Sequence, residues 1–412
     1  MDDFGAMLET YSTTEEAPKA APVAPRGGEP FLSSGDRAWR RALEEGSRVA
    51  AHNVLSKSPL EAPPGSQDLA VCFLCVDGLP HEAIWRHWAW RCEAEAGVRV
   101  KFYAHAHRRE AVSSEWLRER LIDDHYATPW GSVELVRAST ALFSAAVRDR
   151  SFDAEFLALA SETCLPLASP AEVALELFGI SRKQAPRSWV KAFDAPDNGY
   201  ALDKQWKKVR PALPPSCTWK APQWLLLTRA HGRLLARALD VEIKRAAASS
   251  LATTDNKKGQ KKDGDSTATW RLFSKVTAAD ELYFPSMLAL CGEVRRINKD
   301  TIDAPRLLRR RLTWCDWSAG GRSPKTLTNL TADIIRTARS EGCLFARKFP
   351  PGAIRDPSHW DDLIALSSPQ EKQQEEAPLV LLPSSPPQEE EAKGTANKKR
   401  PRIEEKQPEE DD

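Results

Sequence analysis

The stretch "LAVCFLCV" (residues 69–76) is an uninterrupted apolar run that stops at "DGLP". Such a run is typical of a strand buried on both faces of a sheet. A helical pattern, "HEAIWRHWAWRCEAEA" (residues 81–96), and a second apolar strand, "VRVKFYAH" (residues 98–105), follow it. Strand, helix and strand in this order predict a parallel β-α-β unit.

Three further segments extend the alternation. "SVELV" (residues 132–136) predicts a third strand, "STALFSAAVRD" (139–149) a helix and "AEFLALA" (154–160) a fourth strand. The pattern predicts an α/β fold whose central sheet is mainly parallel and flanked by helices. Ligands of such sheets bind beyond the carboxyl ends of the strands, so residues that follow the strands are the first candidates for a site.

Changes in composition divide the 412-residue chain. Residues 1–66 are rich in Ala, Pro, Gly, Ser and Glu and are predicted to be mostly disordered. Residues 67–366 form the predicted folded domain, with a low-complexity insertion at about 246–269. Residues 367–412 are predicted to be a disordered charged tail, because their polar sequence buries too little apolar area to offset ordering entropy.

Charge and hydropathy exclude some classes of partner. The chain has 59 basic and 58 acidic side chains and a net charge of +1, so no overall field attracts nucleic acid. No apolar run of about 20 residues or signal-peptide pattern is seen in this sequence. Eight scattered cysteines leave the redox compartment open. The Cys72/Cys75 pair lies in an apolar strand, so we expect core packing rather than metal or redox chemistry there.

Seven motifs in one order cover nearly the whole predicted domain, and the most specific is a buried strand that ends in Ser-Glu-Thr-Cys-Leu-Pro. They are "YAHA" (residues 103–106), "WGSVELVRA" (130–138), "FLALASETCLPLAS" (156–169), "KAPQWLLLTRAH" (220–231), "DELYFPSML" (280–288), "RLTWCDWS" (311–318) and "LFARKF" (344–349). Together they resemble the Core-2/I-branching β-1,6-N-acetylglucosaminyltransferase family, especially its plant-type members.

The resemblance implies a GT-A-type glycosyltransferase fold and an inverting transfer of a sugar from a UDP-sugar to an acceptor hydroxyl. The sugar would be N-acetylglucosamine or a related one, and the acceptor a glycan or glycoprotein. The family works without a metal, so no cofactor is expected. Relatives are Golgi type II membrane proteins, although no signal or anchor is seen here, so either an upstream exon is missing or the protein is exceptional.

The general base implied by the resemblance is Glu281, with Asp280 beside it. Inverting transfer is a single displacement in which a base removes the proton of the attacking hydroxyl, so one carboxylate suffices. Tyr283, Phe284 and Met287 would desolvate it and raise its proton affinity. In the alternative interpretation, Asp280 is a helix N-cap, Glu281 favours the first turn, and the apolar residues are a helix core face.

Basic side chains would neutralise the leaving diphosphate. Lys348 occupies the family's basic position, and Lys325 lies where a second cation is expected; Arg347 and Arg322 are substitutes if the register differs. The one Asp-x-Asp, at residues 263–265, lies in the lysine-rich insertion and is poorly placed for a metal.

For the donor, Tyr103 and His105 follow the second strand and are candidates for base or ribose contact, or else a packed aromatic and a satisfied histidine. Candidates for the acceptor cleft are a stacking tryptophan, a strand-end carboxylate and two basic side chains, namely Trp317, Glu162, Lys207 and Arg210. In the alternative interpretation, Trp317 is a core residue and Glu162 caps the end of its strand.

Two rival classes remain. One is a catalytically inactive carbohydrate-binding protein on the same fold, which retention of both Glu281 and Lys348 disfavours. The other is a dehydrogenase or kinase, but neither G-x-G-x-x-G nor a P-loop motif is present. Donor sugar, acceptor, linkage, disulfide pairing and oligomeric state stay open at this stage.

Overall fold

The computed structural model describes residues 67–179, 185–194, 202–209, 213, 215–239, 242–244, 266–298, 301–320 and 323–368. The predicted N-terminal segment, most of the insertion and nearly all of the C-terminal tail lie outside the described residues. Their predicted disorder and boundaries therefore stay predictions.

The helices and strands are numbered in chain order. The helices are α1 (Glu82–Ala96), α2 (Glu115–Arg118), α3 (Val133–Arg148), α4 (Pro170–Val173), α5 (Leu202–Val209), α6 (Arg229–Ala238), α7 (Ala279–Leu290), α8 (Ala332–Ser340) and α9 (Pro357–Ser367). The strands are β1 (Asp68–Cys75), β2 (Arg99–Ala106), β3 (Phe156–Ser161), β4 (Leu165–Pro166), β5 (Ser188–Trp189), β6 (Phe193–Asp194), β7 (Trp219–Lys220), β8 (Leu226–Thr228), β9 (Glu242–Lys244), β10 (Ser266–Ala268), β11 (Arg295–Arg296), β12 (Ile302–Asp303), β13 (Leu307–Leu308), β14 (Thr313–Cys315) and β15 (Phe345–Arg347).

The main sheet has six strands in the order β13-β5-β8-β3-β1-β2. β1 pairs in parallel with both β2 and β3, and β13 pairs in parallel with β5, whereas β8 is antiparallel to its two neighbours. A second, three-stranded sheet has the order β14-β15-β4. The predicted α/β class with a mainly parallel, helix-flanked sheet is confirmed.

The predicted strand at 132–136 is wrong. These residues begin α3, which runs from Val133 to Arg148. Val133 and Val136 are both buried, and the buried positions continue through Leu142, Phe143 and Ala146. A short apolar run does not distinguish strand from helix, and here the helical spacing of the following residues decides. β3 is therefore the third strand along the chain.

Apolar side chains pack on both faces of the main sheet. Because successive strand residues point to opposite faces, Cys72 packs in one cluster and Cys75 in the other. Both are buried, which confirms the prediction that they are core residues. Among the helices that the structure describes, none is long and apolar enough to cross a bilayer.

Candidate active site

The proposed base lies at the start of α7, and a distant loop fixes where that helix begins. The carbonyl oxygen of Gly131 accepts hydrogen bonds from the backbone nitrogens of Ala278 (2.9 Å) and Ala279 (3.5 Å). Ala278 is the N-cap, with φ of 55°, and no side chain caps the helix. The alternative interpretation of Asp280 as N-cap is therefore wrong, since Asp280 is already inside the first turn.

The side chain of Glu281 is partly exposed, at 29% of its maximum area. Its Oε2 atom lies 3.1 Å from Nζ of Lys220. Its backbone carbonyl accepts a hydrogen bond of 2.8 Å from the nitrogen of Ala221. Tyr283 and Phe284, which follow it in the helix, are fully buried, so Glu281 projects from an apolar support.

Asp280 is buried, and its Oδ1 atom has no hydrogen-bond partner among the described residues. Burial first, and the neighbouring charge of Glu281 second, raise the pKa of Asp280 to about 7. The positive charge of Arg347 acts in the opposite direction. Two adjacent carboxyl groups thus have different environments, one buried and one facing solvent.

Arg347, the last residue of β15, packs against Trp224. Its guanidinium lies over the ring of Trp224, 4.6 Å from the centroid, and its Nε is buried without a hydrogen-bond partner among the described residues. Burial raises the pKa of Glu162, at the end of β3, above its usual value. The positive charges of Arg347 and Lys348 oppose this rise without reversing it. Arg347 therefore acts electrostatically on both Glu162 and Asp280.

Backbone hydrogen bonds bring Lys348 and the loop of Lys325 to the same strand ends, whereas Arg322 lies outside the described residues. The nitrogen of Phe349 donates to Thr163 (3.0 Å), and that of Leu327 donates to the carbonyl of Lys348 (2.8 Å). The loop that carries Leu327 also carries Lys325, whose nitrogen donates to Asp316 at 2.8 Å, next to Trp317. Lys325 and Trp317 are exposed, and Lys348 is partly buried. Burial, and then the charge of Arg347, lower the pKa of Lys348.

The two donor candidates are placed differently. His105 lies at the carboxyl end of β2, and its Nε2 accepts a hydrogen bond of 3.0 Å from the nitrogen of Tyr126. Burial lowers the pKa of His105 to about 4, so the ring is neutral at pH 7. The hydroxyl of Tyr103 instead donates to Asp149 (2.7 Å), which follows the far end of α3. Only His105 shares the strand edge with Glu162.

Of the two basic acceptor candidates, Lys207 is exposed on α5 and Arg210 lies outside the described residues. α5 approaches the base helix, since the amide oxygen of Gln205 accepts a hydrogen bond of 3.0 Å from the nitrogen of Thr277. The Asp-x-Asp at 263–265 is also outside the described residues. In the described parts of the chain, no group of three or more His, Cys, Asp or Glu side chains is arranged to hold a metal ion.

The sequence assigned no role to Lys220 or Trp224, although both belong to the motif "KAPQWLLLTRAH". Arg347 had entered only as a substitute for Lys348. A lysine or arginine beside a strand is a common surface residue. What distinguishes Lys220 and Arg347 is their contacts with Glu281 and Trp224, which join segments far apart in the chain. The motif was the only available signal for Lys220 and Trp224.

A comparison with family models gives a match to the Core-2/I-branching enzyme family over residues 100–339, more than half of the chain. A comparison with curated proteins gives no match. The matched residues include β2, β3, β7 and α7, and the helix-flanked, mainly parallel sheet agrees with the GT-A type that the resemblance implies. The chain therefore belongs to the Core-2/I-branching enzyme family, a family of glycosyltransferases.

Proposed function

We propose that the protein is an inverting, metal-independent glycosyltransferase in which Glu281 is the general base. It moves N-acetylglucosamine or a related sugar from a UDP-sugar to a hydroxyl of a glycan or glycoprotein acceptor. The observation that carries the proposal is a partly exposed glutamate beside a segment, residues 220–224, that meets Arg347 at the end of β15. As for other members of the family, we propose the Golgi as its compartment.

In the chemical step, the acceptor oxygen forms a bond to the anomeric carbon, and the bond from that carbon to the diphosphate breaks. The hydroxyl proton moves to the carboxylate of Glu281. The exposed edge of this side chain gives an acceptor access, while the buried face of α7 limits its movement. Glu281 therefore has the chemistry and the accessibility that a base requires.

The departing diphosphate carries negative charge, which Lys348 and Lys325 would neutralise in place of a metal. Lys348 is partly buried beside Arg347, so a bound phosphate would meet two adjacent positive charges. His105 lies two strands from Glu162 along the same edge, a separation of roughly 10 Å, which suits a nucleoside on the donor side. We leave Tyr103 out of the donor site because Asp149 holds its hydroxyl.

Trp317 supplies an exposed aromatic face for an acceptor sugar, and Lys207 and Glu162 supply polar contacts. The rival proposal is a carbohydrate-binding protein without turnover on the same fold. It would keep the aromatic face but would not need both a partly exposed glutamate and the cations Arg347 and Lys348.

A panel of UDP-sugars, assayed for hydrolysis and transfer with and without a chelator, tests the proposal. The wild-type protein should transfer one sugar at the same rate in both conditions. Glu281→Gln should bind UDP normally and lose transfer by at least about 100-fold, since general-base catalysis contributes about 10²–10⁴. Glu110→Gln, which changes an exposed glutamate, is the matched control. Normal turnover by Glu281→Gln would remove its assigned role.

A further inference from the structure

We propose that Lys220 is a positioning residue for Glu281, one that holds the carboxylate aimed at the acceptor. The inference rests on the proposed function, since it gives Lys220 a role only if Glu281 is the base. It concerns a contact between β7 and α7 that none of the motifs above specifies.

The contact joins Nζ of Lys220 to Oε2 of Glu281 at 3.1 Å. The two side chains are 24% and 29% exposed, so the pair is neither buried in the core nor free in solvent. A contact to one carboxylate oxygen leaves the other oxygen to accept the proton of a hydroxyl.

The backbone on either side of Lys220 is fixed to α7. On one side, the nitrogen of Ala221 donates to the carbonyl of Glu281 at 2.8 Å. On the other side, the hydroxyl of Ser286 accepts from the nitrogen of Trp219 and donates to its carbonyl, both at 3.2 Å. Trp219 is fully buried, so the strand is anchored in the core. Lys220 therefore has a fixed origin opposite the base.

Ion pairs that solvent reaches usually contribute little to stability, so we do not expect this one to hold the fold together. Its effect is expected in catalysis. The ammonium restricts the rotamers of a long side chain that must meet a hydroxyl at about 2.6–3.2 Å. Misplacement of a catalytic group by about 1 Å can cost about 100-fold in rate.

Kinetics of Lys220→Met, Lys220→Gln and Lys220→Arg in the full chain test this role. Lys220→Met and Lys220→Gln should lower kcat by about 10- to 100-fold with little change in the KM for the UDP-sugar. Lys220→Arg should restore most of kcat. Lys275→Met, an exposed lysine outside the site, is the matched control and should resemble the wild type.

A purely structural role would lower the melting temperature and would change the KM for the UDP-sugar as well as kcat, and that result would overturn the proposal. The proposal would also be overturned if Lys220→Met and Lys220→Gln both had the same kcat as Lys275→Met. Glu281→Gln is measured in parallel to separate the two levels of the argument. If it is inactive while the neutral Lys220 variants are normal, only the positioning role fails; if it keeps turnover, the proposed function fails as well.

Discussion

The carbonyl oxygen of Gly131 accepts a hydrogen bond of 2.9 Å from the nitrogen of Ala278, the residue just before the helix of the proposed base. Gly131 has a φ of +69°, and a Cβ added there would lie 3.2 Å from that same nitrogen. The position at which α7 begins, and with it the origin of Glu281, therefore depends on a glycine in a loop that precedes α3.

Gly131→Ala should consequently lower both stability and activity. The left-handed backbone costs about 1–2 kcal/mol for a residue with a Cβ, and the contact with Ala278 must also relax. Gly97→Ala is the control, because Gly97 has a similar φ of +66° and open space around it. Both variants should lose stability in urea unfolding, but only Gly131→Ala should lose kcat. Equal kcat values in the two variants would show that the loop does not position α7.

Asp280 should give the protein a stability that falls as pH rises. Its folded-state pKa is raised from 3.8 to about 7, so between these pH values the folded state holds a proton that the unfolded state has released. The contribution is complete below pH 4 and is lost as pH rises through about 7. Asp280→Asn removes this dependence. The free energy of unfolding of the variant, relative to that of the wild type, should therefore increase between pH 5 and pH 8 by on the order of 1–3 kcal/mol.

Urea unfolding at the two pH values measures the difference. Asp362→Asn, which changes an exposed carboxylate on α9, is the control. The difference in free energy of unfolding between this variant and the wild type should be the same at pH 5 and pH 8. A pH-independent difference for Asp280→Asn would mean that the buried carboxyl group is ionised throughout.

The central sheet was predictable because its long strands carry their own signal. β1 and β3 are continuous apolar runs buried on both faces, and α1 separates β1 from β2 with a helical pattern. The start of α3 was misassigned because "SVELV" is too short to define a period. The two- and three-residue strands, such as β4, β7 and β15, are defined by pairing partners and have no pattern of their own.

For the site as well, the sequence indicated residues that belong to a motif but not contacts between distant segments. The family motifs selected Glu281, Lys348 and Glu162, which follow or begin regular elements. The contact between Lys220 and Glu281, and the position of Arg347 over Trp224, arise only when distant segments pack together. Tyr103 illustrates the reverse case, since strand position suggested the donor site whereas its hydroxyl reaches Asp149.

Lys348→Ala should weaken UDP binding by about 10- to 100-fold, since a hydrogen bond to a charged group contributes about 1.5–3 kcal/mol. Isothermal titration with UDP in the presence of a chelator measures this directly. Lys275→Ala, an exposed lysine outside the site, should bind UDP as the wild type does. Unchanged affinity in Lys348→Ala, or wild-type activity that requires added manganese, would contradict a diphosphate site built from lysines.

Trp317→Ala should affect the acceptor alone. The side chain is 50% exposed in the loop after β14, so its removal should change the free energy of unfolding by no more than about 0.5 kcal/mol. Loss of an aromatic face that stacks on a sugar should raise the KM for the acceptor by about 5- to 10-fold and leave the KM for the UDP-sugar unchanged. Trp90→Ala is the matched control, because Trp90 is 64% exposed on α1. If both variants show the wild-type acceptor KM, the acceptor binds elsewhere; if the donor KM rises instead, Trp317 belongs to the donor side of the cleft.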